Sequence, residues 1–119
     1  MIAAFWASTG ASQQIWPYVE PETTKQKTDA AIEKWIACLG SAADRYTAIV
    51  NDPDTIVTAT FGECGEAESA YKAAVAASFT GILPADDRPR KADEIARGMR
   101  PHLREVLFAR ILNRRLKAR

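Results

Sequence analysis

The stretch that decides the fold runs from Thr28 to Phe79 and reads TDAAIEKWIACLGSAADRYTAIVNDPDTIVTATFGECGEAESAYKAAVAASF. In both of its halves, apolar residues recur at steps of three and four, which is typical of one helix face turned towards a core. In the first half they are Ile32, Ile36, Leu39, Ala43, Tyr46 and Val50. In the second half they are Val57, Phe61, Cys64, Ala67, Tyr71, Val75 and Phe79. Between the halves, Asn51 and Asp52 favour a turn and Pro53 suits the first position of a helix. The stretch predicts an antiparallel helical hairpin, at about 28–50 and 53–79.

The only two cysteines of the chain, Cys38 and Cys64, lie at similar distances on either side of the turn at 51–53. A hairpin brings them to about the same height. A disulfide needs Cα atoms within about 7 Å, whereas the axes of packed helices usually lie 8–10 Å apart. Gly62 and Gly65 bracket Cys64, and we interpret them as making room for this close approach. We predict a Cys38–Cys64 disulfide that pins the hairpin. The alternatives are two buried free thiols or a redox-active pair.

A third helix is predicted after the hairpin, with an N-cap at Asp86 or Asp87. Its apolar residues again keep a helical step: Ala92, Ile95, Ala96, Met99, Leu103 and Val106. Gly98 and Pro101 interrupt the pattern, because proline removes a backbone hydrogen bond and clashes with the preceding turn. We expect this helix to be kinked or broken near Gly98–Pro101, with a basic C-terminal helix at 101–119. The predicted fold class is all-α.

The first 14 residues carry no charge, and an apolar run from Ile2 to Ala7 is followed by small polar residues. This order is typical of the end of a secretory signal peptide, although the positive start is missing. Residues 1–14 are interpreted as a truncated signal peptide or as an N-terminal arm that packs Phe5 and Trp6 onto the hairpin. Residues 15–119 then form a single helical domain. Since disulfides form in oxidising compartments, we expect a periplasmic or secreted protein.

The net charge of +1 hides an uneven distribution. Residues 1–87 carry five Lys or Arg against twelve Asp or Glu, and residues 88–119 carry eleven against three. On the last helix, Arg110, Arg114 and Lys117 fall on one stripe. Four interpretations stay open: a solvated face, pairing with the acidic first half of the chain, binding to an acidic protein partner, or binding to an anionic membrane or nucleic acid. Since Phe108 is the only nearby aromatic ring, nucleic acid is a weaker candidate than an anionic membrane.

The sequence contains no motif for catalysis or for a cofactor. His102 is the only histidine, has no nucleophile fixed beside it, and is interpreted as a surface residue of the helix. The spacing Cys-x-x-Cys, typical of metal sites, is missing, and the six glycines form no phosphate-binding loop. The acids around Cys64 are interpreted as solvated carboxylates: Glu63, Glu66 and Glu68.

These observations favour a small exported, non-enzymatic helical protein that acts through a protein partner and needs no cofactor or metal. The second hypothesis is a binder of an anionic membrane surface or nucleic acid, acting through the basic C-terminal helix. Between Leu103 and Leu116, apolar residues occur nearly all round the predicted helix. That distribution suits burial in a homo-oligomer as well as in the protomer core.

Overall fold

A computed structural model of the chain describes residues 23–118, which form four α-helices. Helix α1 spans Thr24–Thr47, α2 Pro53–Glu63, α3 Gly65–Ser78 and α4 Arg88–Lys117. Within the described residues there is no β-strand beyond one isolated bridge between Thr80 and Leu83. The all-α fold class is therefore confirmed. The predictions for the N-terminal segment, including the signal peptide, the contacts of Phe5 and Trp6 and the segment around Trp16, lie outside the described residues.

The turn between the two arms of the hairpin is built as its residue types predict. The side chain of Asp52 accepts a hydrogen bond from the Thr55 backbone N–H at 3.0 Å, and Pro53 occupies the first helical position. Helix α1 begins earlier than expected, because Thr23 and Gln26 form a reciprocal capping box. This box satisfies backbone N–H groups that the start of a helix otherwise leaves unpaired. Helix α1 packs against both α2 and α3, in agreement with a hairpin.

The Cys38–Cys64 disulfide is present, with an S–S distance of 2.07 Å and a Cα–Cα distance of 5.9 Å. The alternative of two free thiols is therefore wrong. The second arm is not one helix over 53–79, because it is interrupted at Cys64, whose φ and ψ are −94° and 19°. A ψ of 19° lies far from the helical value of about −42°. The interruption falls at the residue that the disulfide joins to α1.

The interpretation of Gly62 and Gly65 as residues that make room for the disulfide is wrong. A Cβ built on either glycine would meet nothing within 4 Å. The glycine that lies close to another helix is Gly40 on α1, which is buried. A Cβ there would lie 3.2 Å from Cζ of Arg110 on α4. Gly40 therefore packs against an arginine side chain of α4 rather than against the facing arm of the hairpin.

Helix α4 runs through Pro101 without a break and spans 30 residues. The expected alternative of two separate helices is wrong, and residues 101–117 are the second half of one helix. Proline leaves a single backbone acceptor without its helical donor. On both sides of Pro101, apolar side chains of α4 are buried in the core, which keeps the two halves in one helix. These residues are Ala92, Ala96, Leu103, Leu107 and Ile111.

The core forms around Trp35 of α1, which is completely buried. Its ring stacks on Tyr71 of α3 at a centroid distance of 5.7 Å and meets the edge of Phe61 of α2 at 6.5 Å. Buried residues from all four helices join this cluster, so α4 covers the hairpin as part of the same core.

Candidate functional site

The basic stripe predicted on the last helix lies beside an acidic residue of α1. Arg110 donates from Nε and Nη2 to the two carboxylate oxygens of Asp44, each at 2.8 Å. Nη1 of Arg114 lies 3.6 Å from the same carboxylate, and Lys117 lines the same shallow depression. The hydrogen bond from Arg110 lowers the pKa of Asp44 below its ordinary value. Pairing within the chain thus accounts for two of the three residues, and their role with an anionic partner stays a prediction.

Other arginines of α4 also bind groups from the acidic first half of the chain. Arg104 pairs with Asp54 of α2. Arg115 donates to the backbone carbonyls of Val50 and Asn51 at 3.1 and 2.5 Å, and so holds the turn of the hairpin. The uneven charge distribution therefore serves in part to fasten α4 to the rest of the fold.

The interpretation of Glu68 as a solvated carboxylate is wrong, because this residue is only 3% exposed. Arg100 binds it with both arms of its guanidinium, Nε at 3.0 Å from Oε2 and Nη2 at 2.6 Å from Oε1. Lys72, one turn further along α3, adds a second positive charge at 3.9 Å. A buried carboxylate is stable only when such partners replace its water.

Glu63 and Glu66 are both exposed, as predicted, but Glu63 is also hydrogen-bonded to α1. Glu63 accepts hydrogen bonds from Arg45 and from the hydroxyl of Tyr46, both on α1. These hydrogen bonds lower the pKa of Glu63 and raise the pKa of Tyr46. The contacts fasten the end of α2 to α1 near the disulfide.

A groove lies between α2 and α4. Its volume is about 650 Å³. It is lined by Thr58, Phe61, Gly62, Arg97, Arg100, Pro101 and Arg104. The guanidinium of Arg100 lies over the Phe61 ring, 5.4 Å from its centroid, which is the geometry of a cation–π contact. The groove thus combines an apolar base with a rim of three arginines.

The sequence did not reveal this groove, because residues from α2 and α4 meet there only in the folded chain. In the sequence, Pro101 indicates a kink or break of the helix, and Gly62 indicates room for the disulfide. The spacing of Arg97, Arg100 and Arg104, at steps of three and four, was the one local signal that these side chains share a face. It does not tell which surface they face.

His102 is exposed on α4, in agreement with its interpretation as a surface residue. Within residues 23–118, no three His, Cys, Asp or Glu side chains come together in a way that would hold a metal ion. None of the described helices is long and apolar enough to span a membrane.

No protein-family model, curated protein or solved structure matches the chain significantly. Inference about its function therefore rests on the chemistry of its own surface.

Proposed function

We propose that this chain is a small exported, non-enzymatic helical protein that acts by binding a protein partner in the α2–α4 groove. The observation that carries the proposal is the groove itself, an apolar base beneath an arginine rim. Its volume of about 650 Å³ falls in the range of 300–1,000 Å³ that is common for binding pockets. Among the described residues that line it, there is no carboxylate, histidine or cysteine that would serve as a base or nucleophile, which favours binding over catalysis.

The chemistry of the groove favours a peptide segment that carries an apolar side chain next to a carboxylate. Phe61, Gly62 and Pro101 offer the apolar surface. Arg104 uses only Nη2 towards Asp54 among the described contacts, and an arginine has five N–H donors in total. The unused donors can take a second carboxylate in the forked geometry that arginine prefers.

Export is the part of the proposal that the disulfide supports. A bond between the only two cysteines of the chain is consistent with an oxidising compartment. We therefore propose a periplasmic or secreted location.

The second hypothesis, binding of an anionic membrane or nucleic acid by the basic half of α4, has less support. Arg110 and Arg114 lie against Asp44, and Arg115 is held by two backbone carbonyls. The groove arginines are paired as well, Arg97 with Asp93, Arg100 with Glu68 and Arg104 with Asp54. What favours the groove is the apolar surface of Phe61, Gly62 and Pro101 beside its arginines.

A side chain that fills the groove tests the proposal. At Gly62 an added Cβ meets nothing within 4 Å, and Gly62 lines the groove, so Gly62→Leu adds a side chain at the groove wall. Gly65→Leu is the matched control, because its Cβ is equally unobstructed and Gly65 does not line the groove. We expect a random-peptide library displayed on phage to yield ligands that contain an apolar residue beside Asp or Glu. These ligands should bind the wild type and Gly65→Leu alike, and should bind Gly62→Leu at least about ten-fold more weakly, since hot-spot contacts of this kind contribute more than 1 kcal/mol.

Peptides that bind Gly62→Leu as tightly as the wild type would place the binding site elsewhere. A selection that yields no peptide with the expected composition would also contradict the proposal. The comparison is best made by titration of labelled peptide at two salt concentrations, because the contribution of the arginine rim should weaken as salt rises.

A further inference from the structure

A second surface, separate from the groove, follows the outer face of α4. Of the large apolar side chains that are exposed in the described part of the chain, three lie on this helix: Val106 at 46%, Leu112 at 58% and Leu116 at 54% exposure. Leu112, Leu116 and the exposed Ala109 share the side of the helix opposite the buried Leu107, and Val106 lies beside them. Unlike the scattered apolar residues of ordinary surfaces, these three form one stripe with Val106 at its edge.

The stripe belongs to a longer pattern with alternating steps of three and four residues. Its members are Ile95, Gly98, His102, Glu105, Ala109, Leu112 and Leu116. All of them are exposed except Ile95, which is half-buried. This is the heptad spacing by which one helix presents a straight seam to another helix.

We propose that this seam binds a second copy of the same chain, with the two α4 helices antiparallel. When the two seams are aligned, the numbers of two residues that face each other across the dimer sum to 207. It follows that each kind of contact occurs twice, as a two-fold axis requires. The pairs are Ile95 with Leu112 of the second copy, Gly98 with Ala109 of the second copy, and His102 with Glu105 of the second copy.

Charge decides the antiparallel direction. In a parallel pair, Glu105 would face Glu105 and the basic ends of the two helices would lie side by side. Like charges placed opposite each other destabilise such an interface. In the antiparallel pair, Glu105 meets a histidine instead, and Arg115 lies beside the exposed Glu94 of the second copy. The cations Arg90 and Lys117, which come level with each other, fall outside the seam positions.

Gly98 supports the same arrangement independently. It lies inside a 30-residue helix, where glycine is unfavourable relative to alanine. Its φ is not positive, since Gly81 is the only glycine with positive φ among the described residues. A Cβ at Gly98 would meet nothing within 4 Å, so no described contact in the protomer requires a glycine there. Opposite Ala109 of the second copy, its missing side chain lets the two backbones approach closely.

The flanking positions fit this register as well. Beside the seam, Met99 lies next to Val106 of the second copy, which adds an apolar contact at both ends of the central pair. Lys91 lies opposite Leu116 of the second copy and can cover it with the apolar part of its side chain. None of the seam residues lines the α2–α4 groove, so the proposed dimer does not depend on the proposed function.

Sedimentation equilibrium of the full chain over a concentration series tests the association. We expect the mass of a dimer for the wild type and for Ile49→Glu, a control that places a charge on an exposed apolar residue outside α4 and outside the seam. Leu112→Glu should raise the dissociation constant at least ten-fold. Because Leu112 is exposed in the protomer, the thermal unfolding of Leu112→Glu in its monomeric form should match that of the wild-type monomer. A wild type that stays monomeric at every concentration would overturn the proposal, and so would a dimer that Leu112→Glu leaves unchanged.

Crosslinking tests the direction of the pair. Gly98→Cys and Ala109→Cys are made as separate proteins, in which Cys38 and Cys64 stay joined to each other. The antiparallel register predicts that a short bis-maleimide links the two variants when they are mixed. Either variant alone should crosslink poorly, since identical positions lie about 11 residues apart along the seam, or roughly 16 Å. Efficient crosslinking of each variant with itself would show a parallel pair and would overturn the proposed register.

Discussion

At the scale of single residues, the environment of Glu68 shows how a charged side chain becomes part of the core of this protein. Its carboxylate is almost completely buried. Arg100 of α4, which lies 32 residues further along the chain, donates two hydrogen bonds to it. Arg100 is itself half-exposed, and its plane covers the ring of Phe61. The pair therefore joins α3 and α4 while it also forms one wall of the groove. If one partner is removed, the other is left in a place where water cannot replace it.

We predict that Arg100→Met lowers the free energy of unfolding by about 2 kcal/mol, because it leaves a buried carboxylate with only the distant charge of Lys72. The double variant Arg100→Met with Glu68→Leu should recover much of this loss, since apolar residues can replace a buried ion pair. Urea unfolding provides the measurement. Arg97→Met is the matched control, because it breaks the exposed pair with Asp93 and should change stability by less than about 1 kcal/mol. Equal losses for Arg97→Met and Arg100→Met would contradict the assigned role of Glu68.

At the scale of elements, the junction between α2 and α3 depends on Cys64. Helix α2 begins with an N-cap from Asp52, whereas α3 begins at Gly65 without a side-chain hydrogen bond to its first turn. The acids Glu66 and Glu68 favour the positive end of the α3 dipole, but neither caps it. The disulfide to α1 fixes the point at which α2 ends and α3 begins.

We predict that reduction of the Cys38–Cys64 bond lowers the free energy of unfolding by roughly 3.5 kcal/mol, the value that the chain-entropy relation gives for a loop of this length. The measurement is urea unfolding with and without reductant. The variant Cys38→Ala with Cys64→Ala serves as the control, because reductant should leave its midpoint unchanged. Hydrogen exchange should also become faster in the first turn of α3 than in the middle of α1. An unchanged midpoint after both thiols are shown to be free would contradict a stabilising role of the bond.

At the scale of the whole molecule, an acidic hairpin and a basic helix are held together by opposite charges. Asp44 binds Arg110 of α4, and Asp93 of α4 binds Lys72 of α3. Arg110 lowers the pKa of Asp44, and Lys72 together with Arg97 lowers the pKa of Asp93. Glu63 has a lowered pKa through Arg45 and Tyr46. Lowered pKa values in the folded state mean that the unfolded chain takes up protons first as the solution becomes acidic.

We predict that stability is nearly constant between about pH 5 and 7 and falls progressively below about pH 4.5. The contribution of these carboxylates is present above their ordinary pKa values of 3.8 and 4.5, and it is lost as the pH falls through the lower values of the folded state. Urea midpoints measured between pH 3 and 7 test this. Asp44→Asn should make the fall less steep and, at neutral pH, should weaken the protein by about 0.5–1 kcal/mol. A stability that rises as the pH drops from 5 to 3 would contradict the assignment.

The sequence by itself determined the helical class and the turn of the hairpin, because helical periodicity, proline at a helix start and capping side chains act over only a few residues. The helix of the first arm, the turn at Asn51–Pro53 and the pairing of the only two cysteines follow from such signals, whereas the break of the second arm at Cys64 does not. Tertiary structure alone decided which faces meet, and with them the burial of Glu68, the contact of Gly40 with Arg110 and the groove over Phe61. Those contacts join residues that are far apart in the chain, and the local pattern of a helix does not specify which neighbour its charged face will find. The continuity of α4 through Pro101 has the same origin, since buried side chains on both sides of the proline outweigh one lost backbone hydrogen bond.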